Sequence, residues 1–221
     1  MTSPDRTWTP GQRLAGEPPQ AEPPAGAPTI GVLAFQGDVL EHLRALRRSG
    51  ARAIQVRTEA DLDAIDGIVL PGGESTTIGK LLDRFGLLAP LRQRIRAGLP
   101  AFGTCAGMIL LSAELDQERP QPLLGVLAVR TRRNAYGRQV DSFDTVLDVA
   151  GLEGGPVDVS FIRAPRVERV LSDDVEVLAE VDGHPVVVRQ GRILAAAFHP
   201  EVTGDDRLHR LFVELVAATV A

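Results

Sequence analysis

The chain has 221 residues, of which 44% are hydrophobic and 24% are charged, and its net charge is −5. These values lie near globular averages and exclude wholesale disorder, a collagen-like repeat and a coiled coil. The acidic balance and the lack of a run of about 18 apolar residues argue against a nucleic-acid-binding protein and a membrane span.

Residues 1–28 differ in composition from the rest of the chain. They hold seven of the sixteen prolines and few apolar side chains, so they bury too little surface to offset the entropy cost of ordering. We predict a flexible, dispensable N-terminal tail over residues 1–28 and a single domain over residues 29–221. The one cysteine, Cys105, forms no intrachain disulfide, and the N-terminus lacks a secretory pattern, so we expect a cytoplasmic protein.

The first part of the predicted domain alternates strands with helices. Apolar runs predict strands over residues 29–35, 51–56, 67–70 and 99–103. Apolar residues at helical spacing predict helices over residues 38–48, 76–84, 90–97 and 108–115. This alternation favours a parallel sheet that helices cover on both faces.

Shorter strand-like runs, bounded by Gly, Pro and Asp, fill the second part of the domain. We predict strands over residues 125–130, 142–149, 157–162, 175–181, 185–189 and 193–198. Some of them should pair in the antiparallel sense. A final amphipathic helix is predicted over residues 207–218.

The sequence Gly-Thr-Cys-Ala-Gly at residues 103–107 stands between a predicted strand and a predicted helix. A strand, a sharp turn and a helix form the context of a nucleophile elbow, where flanking glycines permit a strained turn. Cys105 is then the nucleophile, and a nearby histidine would activate its thiol. Taken alone, this cysteine could equally be a small buried side chain that only packs.

His199-Pro200-Glu201 directly follows the last predicted strand, where a parallel sheet places its functional loops. A histidine there can act as general base toward a thiol, and a carboxylate can hold its tautomer and orientation. Taken alone, the motif is better explained as a loop histidine beside a solvated glutamate. With Cys105 it supplies a nucleophile, a base and an orienting acid.

Paired glycines at Gly72 and Gly73 follow a third apolar run. They expose backbone N–H groups, as an oxyanion hole requires, although an ordinary Pro-Gly turn has the same sequence. No phosphate loop, dinucleotide fingerprint or zinc-thiolate cluster is present in the sequence.

Other charged and titratable residues give weaker signals. We interpret three histidines without a partner pattern as surface or packing residues: His42, His184 and His209. A basic cluster forms either a solvated face or a grip on a carboxylate: Arg130, Arg132, Arg133 and Arg138.

Together these motifs resemble the class I glutamine amidotransferases, whose glutaminase domains use a Cys-His-Glu triad. Segments 33–38, 70–77, 133–143 and 161–165 narrow the resemblance to the glutaminase subunits of pyridoxal 5'-phosphate synthases. The resemblance runs from about residue 29 to residue 213. It implies a three-layer α/β/α glutamine amidotransferase-like fold, with a mostly parallel central sheet and added antiparallel strands.

The resemblance also implies an activity, the hydrolysis of L-glutamine to L-glutamate and ammonia through a glutamyl thioester. Ammonia would pass to a barrel-shaped, oligomeric synthase subunit, which makes pyridoxal 5'-phosphate from a pentose phosphate and a triose phosphate. Pyridoxal 5'-phosphate is then the product of the complex and not a cofactor of this chain, for which we expect no cofactor and no metal. We expect no nucleic-acid partner and no membrane partner.

The matched positions imply a role for each site residue. Cys105 is the nucleophile, His199 the base and acid, and Glu201 the carboxylate that orients it. Backbone N–H groups of Gly73 and Ala106 hold the oxyanion. Gln36 lies in a segment associated with docking on the synthase. The residues implied to bind glutamine are Gly73, Glu74, Ser75, Arg133, Ile162 and Arg163.

Other functions stay open on the sequence alone. A glutaminase that serves another synthase, such as the imidazole glycerol phosphate or anthranilate system, shares the elbow and the His-x-Glu motif, but segments 133–143 and 161–165 argue against it. A cysteine variant of an α/β-hydrolase esterase is weakened because that family places its acid before the histidine, whereas Glu201 follows His199. A non-catalytic function is also open: the chain could be mainly an assembly or regulatory subunit, with activity only as part of a complex.

Overall fold

A computed structural model gives the structure of residues 23–117, 119–133 and 142–220. Within these residues the strands are, in chain order, β1 (Thr29–Leu33), β2 (Arg52–Val56), β3 (Gly67–Leu70), β4 (Ala101–Thr104), β5 (Ser112–Asp116), β6 (Leu127–Arg132), β7 (Ser142–Leu147), β8 (Val157–Ile162), β9 (Arg166–Val170), β10 (Val175–Val181), β11 (His184–Gln190) and β12 (Ile193–Ala196). The helices are α1 (Val39–Arg48), α2 (Glu59–Leu62), α3 (Ser75–Arg84), α4 (Leu88–Arg96), α5 (Ala106–Leu111), α6 (Pro200–Thr203) and α7 (Arg207–Val220).

The central sheet has the strand order β10-β11-β12-β4-β3-β1-β2. Strands β2, β1, β3, β4 and β12 are parallel to their neighbours in this run, and β11 and β10 add antiparallel pairs at one edge. Every residue of β3 and β4 is buried, as expected for parallel strands that are covered on both faces. The predicted mixed sheet, mostly parallel with added antiparallel strands, is confirmed.

Helices on the two faces of the sheet complete three layers. Helix α1 contacts α6 and α7, while α3 contacts α4 and α5. Gly67 in β3 lets α7 approach closely, since a Cβ there would lie 2.6 Å from Val216 Cγ2. Two small sheets stand beside these layers: β5-β6-β9 and the ribbon β7-β8.

The helix predicted over residues 108–115 is wrong in its second half. Helix α5 ends at Leu111, and the chain continues as strand β5, which pairs with β6. The carbonyls of Leu110 and Leu111 accept hydrogen bonds from Leu124 and Val126, so the returning chain takes acceptors that a longer helix would use. Three short elements, α2, β9 and α6, were not predicted.

The predicted tail lies outside the described residues up to residue 22. Its last residues belong to the domain edge, because Pro28 is buried and its carbonyl accepts a hydrogen bond of 2.9 Å from the Arg52 N–H. Within the described part of the chain, the helices are too short or too polar to cross a membrane.

Candidate active site

Four loops meet at one edge of the central sheet. They follow the carboxyl ends of β1, β3, β4 and β12. These four parallel strands are consecutive in the sheet, in the order β12-β4-β3-β1. Loops at this edge are where an open α/β sheet places its ligands. A cavity of about 370 Å³ opens there and brings together most of the sequence-predicted site residues: Gln36, Gly73, Glu74, Ser75, Cys105, Arg133, Ile162, Arg163 and His199.

Cys105 occupies the sharp turn between β4 and α5. Its φ of 46° is left-handed, which is uncommon for a residue other than glycine. The Cys105 N–H donates to the Ala196 carbonyl of β12 at 2.9 Å, so the turn is tied to the neighbouring strand. The thiol is free and only 7% of the residue is exposed. This is the strand-turn-helix geometry of a nucleophile elbow.

Close backbone packing explains the two glycines that flank Cys105. A Cβ at Gly107 would lie 2.0 Å from the Leu70 carbonyl oxygen, and a Cβ at Gly103 would lie 2.6 Å from the Gly107 carbonyl carbon. Any side chain at either position would therefore collide with backbone. The elbow can contact the end of β3 because these two positions carry no side chain.

His199 lies beside Cys105 and between two carboxylates. Its Nδ1 is 2.8 Å from Glu201 Oε1 and 3.2 Å from Asp38 Oδ2. Because Nδ1 is engaged by carboxylates, Nε2 is the nitrogen left for the Cys105 thiol, with which the ring also interacts. This arrangement can take a proton from sulfur and hold the resulting imidazolium.

The charges around His199 favour its protonated form. Burial works to lower the pKa of His199, but hydrogen bonds with Asp38 and Cys105, and then with Glu201, outweigh burial and raise that pKa above 6.5. The hydrogen bond to His199 lowers the pKa of Asp38. Burial raises the pKa of Glu201, whose side chain is fully buried.

The two predicted oxyanion donors, Gly73 and Ala106, lie in the loops after β3 and β4. Ala106 begins α5 directly after the nucleophile, and Gly73 has a φ of 144°. The preceding Gly72 packs on the catalytic ring, since a Cβ there would lie 2.3 Å from His199 Cε1. The loop after β3 is thus placed against the nucleophile and the histidine together.

Glu74 caps the first turn of α3. Its carboxylate accepts hydrogen bonds from the Thr76 and Thr77 N–H groups and from the guanidinium of Arg133. Burial works to raise the pKa of the Glu74 carboxyl, but hydrogen bonds from Thr77 and Arg133 outweigh burial and lower that pKa to about 2. Glu74 therefore presents a negative charge to the cavity at all physiological pH values.

Two glutamines stabilise the loop that carries Glu74. Gln36 Oε1 accepts a hydrogen bond of 2.8 Å from the Glu74 N–H, so Gln36 contacts the active-site loop in this structure. Gln121 Oε1 accepts hydrogen bonds from Ser75 Oγ at 3.3 Å and from Arg133 Nη1 at 3.4 Å. Ser75 is thereby turned into this network and is almost fully buried.

Ile162 and Arg163 form the opposite wall of the cavity. Arg163 is exposed and has a φ of 46°, a strained conformation of the kind that clusters at functional sites. Among the described residues its guanidinium has no hydrogen-bond or ion-pair partner. By contrast, Arg130 and Arg132 pair with Asp116 on the surface, so the basic cluster is largely a solvated face. Arg138 lies outside the described residues.

One group of side chains in the described chain has the donor set for a metal ion. The ligand atoms of Asp38, His199 and Glu201 all lie within 4.8 Å of one another. The same atoms are already joined by hydrogen bonds around His199 Nδ1, and a metal held there would take over the nitrogen that Glu201 orients. The expectation of no metal stays a prediction.

The sequence reasoning missed four residues of this region. Asp38 lies in segment 33–38 as the N-cap residue of α1, and no pattern in the sequence marks it as a partner of His199. Gln121 lies in a loop with no pattern. His42 and His209, interpreted as surface or packing residues, are fully buried and hydrogen-bonded to each other; they lie 167 residues apart, which no local pattern reveals. His184 is partly exposed at the start of β11.

Comparisons with known proteins agree with this geometry. The family model described as "SNO glutamine amidotransferase family" matches residues 32–218. The chain is 60% identical over 193 residues to "Pyridoxal 5'-phosphate synthase subunit PdxT" of Frankia alni, covering 87% of this chain and 96% of that one. It is 60% identical over 209 residues to the subunit of the same name from Nocardia farcinica, covering 90% and 92%. A crystal structure of a glutamine amidotransferase superposes with a TM-score of 0.80 at 50% identity, covering 85% of this chain and 98% of that one.

Substituting Gly107 with alanine tests the backbone packing of the elbow. We expect Gly107→Ala to lower the free energy of unfolding by about 3 kcal/mol, because the added methyl group meets the Leu70 carbonyl and the backbone must move. Gly191→Ala is the control: Gly191 has a positive φ of 56° but open space around it, so only the conformational cost of about 1 kcal/mol applies. Urea denaturation measures both. If both variants lost the same free energy of unfolding, the contact between Gly107 and the Leu70 carbonyl would not be the constraint.

Proposed function

The chain belongs to the SNO glutamine amidotransferase family, and from this membership we propose that it hydrolyses L-glutamine as the glutaminase subunit of a pyridoxal 5'-phosphate synthase. The resemblance read from the sequence motifs is thereby confirmed at the level of the family. The observation that carries the proposal is the placement of Cys105, His199 and Glu201 at one sheet edge. The names of relatives at 60% identity support the choice of synthase.

The first half of the proposed reaction forms a thioester. His199 Nε2 takes the thiol proton, and the Cys105 sulfur attacks the carbon of the glutamine side-chain amide. The backbone N–H groups of Gly73 and Ala106 hold the oxyanion. When this tetrahedral intermediate collapses, the C–N bond breaks, the imidazolium gives its proton to the leaving nitrogen, and ammonia departs.

The second half of the reaction releases glutamate. His199 takes a proton from water, and the hydroxide attacks the thioester carbon. The C–S bond then breaks, and the sulfur of Cys105 leaves as a thiolate beside the imidazolium. Glu201 stabilises the positive ring in both halves through its bond to Nδ1. The net change is one glutamine and one water converted to glutamate and ammonia, with no cofactor of this chain consumed.

Charge complementarity supports a position for the substrate in the cavity. The exposed guanidinium of Arg163 suits the α-carboxylate of glutamine, and the ionised Glu74 suits its α-ammonium group. Ile162 lines the same cavity, and Arg133 holds Glu74 in place. With the two ends so bound, the side-chain amide points toward Cys105.

We further propose that ammonia goes to a barrel-shaped, oligomeric synthase subunit, and that the reaction takes place in the cytoplasm. The relatives' name, a subunit of pyridoxal 5'-phosphate synthase, supports the synthase as partner. The single cysteine of the chain supports a reducing compartment.

Replacing the nucleophile tests the reaction. We expect Cys105→Ala to lower glutamate release at least about 1,000-fold, because no covalent intermediate forms, and to leave the circular dichroism spectrum unchanged. Glutamate release is measured with the chain alone and with stoichiometric synthase subunit. Pyridoxal 5'-phosphate formation with ammonium chloride in place of glutamine should be equal for both versions of the complex.

Each outcome of this comparison decides one part of the proposal. Substantial glutamate release by the Cys105→Ala complex would refute the nucleophile. Hydrolysis by the wild-type chain that is unaffected by the synthase, with no pyridoxal 5'-phosphate formed from glutamine, would refute the partner and keep the glutaminase.

Arg163→Gln tests the carboxylate contact. We expect the KM for glutamine to rise roughly tenfold or more, since a hydrogen bond to a charged group is lost, while kcat in the complex stays within about threefold. Arg163→Lys should recover part of the loss. Arg189→Gln, on β11 and outside the cavity, is the control for loss of an arginine. A fall in kcat with an unchanged KM would contradict the assignment.

A further inference from the structure

Two buried histidines continue the line from Cys105 through His199 and Glu201 into the protein. His42 lies on α1 and His209 on α7, and neither exposes any surface. The reaction described above uses neither of them. Each carries a titratable ring that is costly to bury unless its nitrogens are paired.

The contacts form an unbroken chain of polar atoms. Glu201 uses Oε1 for His199, and its Oε2 lies 3.4 Å from His42 Nε2. His42 Nε2 is also 3.0 Å from Oγ1 of Thr104, the residue before the nucleophile. On the other side of the ring, His42 Nδ1 lies 2.9 Å from His209 Nε2. Among the described residues neither Glu201 Oε2 nor His209 Nδ1 has a hydrogen-bond partner in this structure, so the 3.4 Å between Glu201 Oε2 and His42 Nε2 is a close polar approach rather than a formed hydrogen bond.

The protons on this chain follow from counting donors. Burial lowers the pKa of His42 well below 6.5 and that of His209 to about 4, so each neutral ring carries one N–H. If His42 donated its Nδ1–H to His209 Nε2, then His42 Nε2 would carry a lone pair. That lone pair would face the Glu201 carboxylate. His209 Nδ1 would then be a buried N–H without an acceptor in the described chain, which is rare in folded proteins.

The opposite assignment satisfies more atoms. His209 donates its Nε2–H to His42 Nδ1, and the unpaired atom is then a lone pair on His209 Nδ1. His42 in turn carries its proton on Nε2, where it faces Glu201 Oε2 and Thr104 Oγ1. This N–H stands 3.4 Å from Glu201 Oε2, so it can stabilise the buried carboxylate charge together with His199 and the Glu201 backbone N–H.

We propose that His42 is a positioning residue of the glutaminase, which donates Nε2–H to Glu201 Oε2 and so keeps this buried carboxylate ionised and oriented toward His199, while His209 fixes the tautomer of His42. The proposal rests on the proposed function for its catalytic meaning. It extends the chain Cys105–His199–Glu201 to a fourth and a fifth residue that never touch the substrate.

The charged surroundings of the chain are few. Glu201 faces His199, Asp38 and His42. His42 faces His209 and, at longer range, His199. His209 faces the ion pair between Asp206 and Arg48. Asp206 works to raise the pKa of His209, and Arg48 works to lower it. The phenyl ring of Phe102 packs edge-on against both imidazoles.

Loss of the His42 donor has a predictable sign. Without it the ionised form of Glu201 is less stable, so its pKa rises further and the partner charge of the His199 imidazolium weakens. The thiolate-imidazolium pair then forms at higher pH and is lost at lower pH. The range of pH over which the pair exists becomes narrower from both sides.

Two amide variants separate the two nitrogens of His42. His42→Gln places an amide N–H where Nε2 stands and can still donate to Glu201. His42→Asn reaches only the Nδ1 position, so it can contact His209 and not Glu201. Both variants carry a side-chain amide and differ by one methylene group, and thermal melts establish that both are folded. Phe212→Leu, which packs on Phe102 below the chain, controls for a general loss of core stability.

Alkylation by iodoacetamide is the first readout, because Cys105 is the one cysteine of the chain and needs no partner to react. We expect the pH of half-maximal alkylation to rise by about one unit in His42→Asn, and to stay within about 0.3 units of wild type in His42→Gln and Phe212→Leu. In a Glu201→Gln background, His42→Asn should cause no further shift, because its effect passes through the carboxylate.

The pH profile of glutamate release by the complex with synthase is the second readout. We expect kcat for His42→Asn to fall about tenfold on the acid limb, with KM unchanged, and His42→Gln to recover it. If His42→Asn has the wild-type alkylation profile, or if His42→Asn and His42→Gln shift it equally, the proposal is overturned. A wild-type complex that releases no glutamate refutes the proposed function instead, and the alkylation shifts still decide the role of His42.

Discussion

Backbone contacts that leave no room for side chains hold the site together. Because Gly107 has no side chain, the start of α5 packs directly on the Leu70 carbonyl. Because Gly72 has none, the loop after β3 packs directly on the ring of His199. The left-handed turn at Cys105 costs of order 1–3 kcal/mol, and it persists because neighbours on both sides fix it. Loops from different strands are thus placed relative to one another by packed main chain, which is more rigid than contact between side chains alone.

This rigidity allows buried charges to be used. A carboxylate such as Glu201, removed from water, costs several kcal/mol unless donors are placed around it in advance. His199 supplies one donor, and the ring of His42 lies at the second oxygen. Because these groups stand on α6 and α1, and the elbow stands on β4, small relative movements would separate charge from partner. The layered packing of α1, α6 and α7 is therefore part of the chemistry.

Local patterns in the sequence predict the elements and the chemical groups well. Apart from the four-residue helix α2, the order of strands and helices through residue 107 is visible because each parallel strand is a short apolar run and each longer helix has an apolar face. The elbow at Cys105 and the motif at His199 are likewise contiguous. The helix predicted to residue 115 fails because its end is set by Leu124 and Val126, which return from a later part of the chain.

Pairings across long sequence distances could not be predicted in the same way. His42 and His209 meet because α1 and α7 pack on the same face of the sheet, and no spacing in the sequence encodes that contact. The capture of Glu74 by Arg133 joins residues 59 positions apart. Such contacts depend on tertiary packing, whereas the motifs depend on local backbone geometry. Residues 134–141, which belong to the motif segment 133–143, lie outside the described residues.

The two sides of the cavity control charge by different means. On the substrate side, Glu74 is partly exposed and kept ionised by several hydrogen bonds, and Arg163 faces the cavity from an exposed position; solvent screens both until a ligand displaces it. On the catalytic side, His199 lies between the buried carboxylate of Glu201 and the partly exposed carboxylate of Asp38, and the ring of His42 lies at the other oxygen of Glu201. A substrate with two charged ends can therefore pair with Glu74 and Arg163, while the proton of His199 is held by a different pair of carboxylates, Asp38 and Glu201.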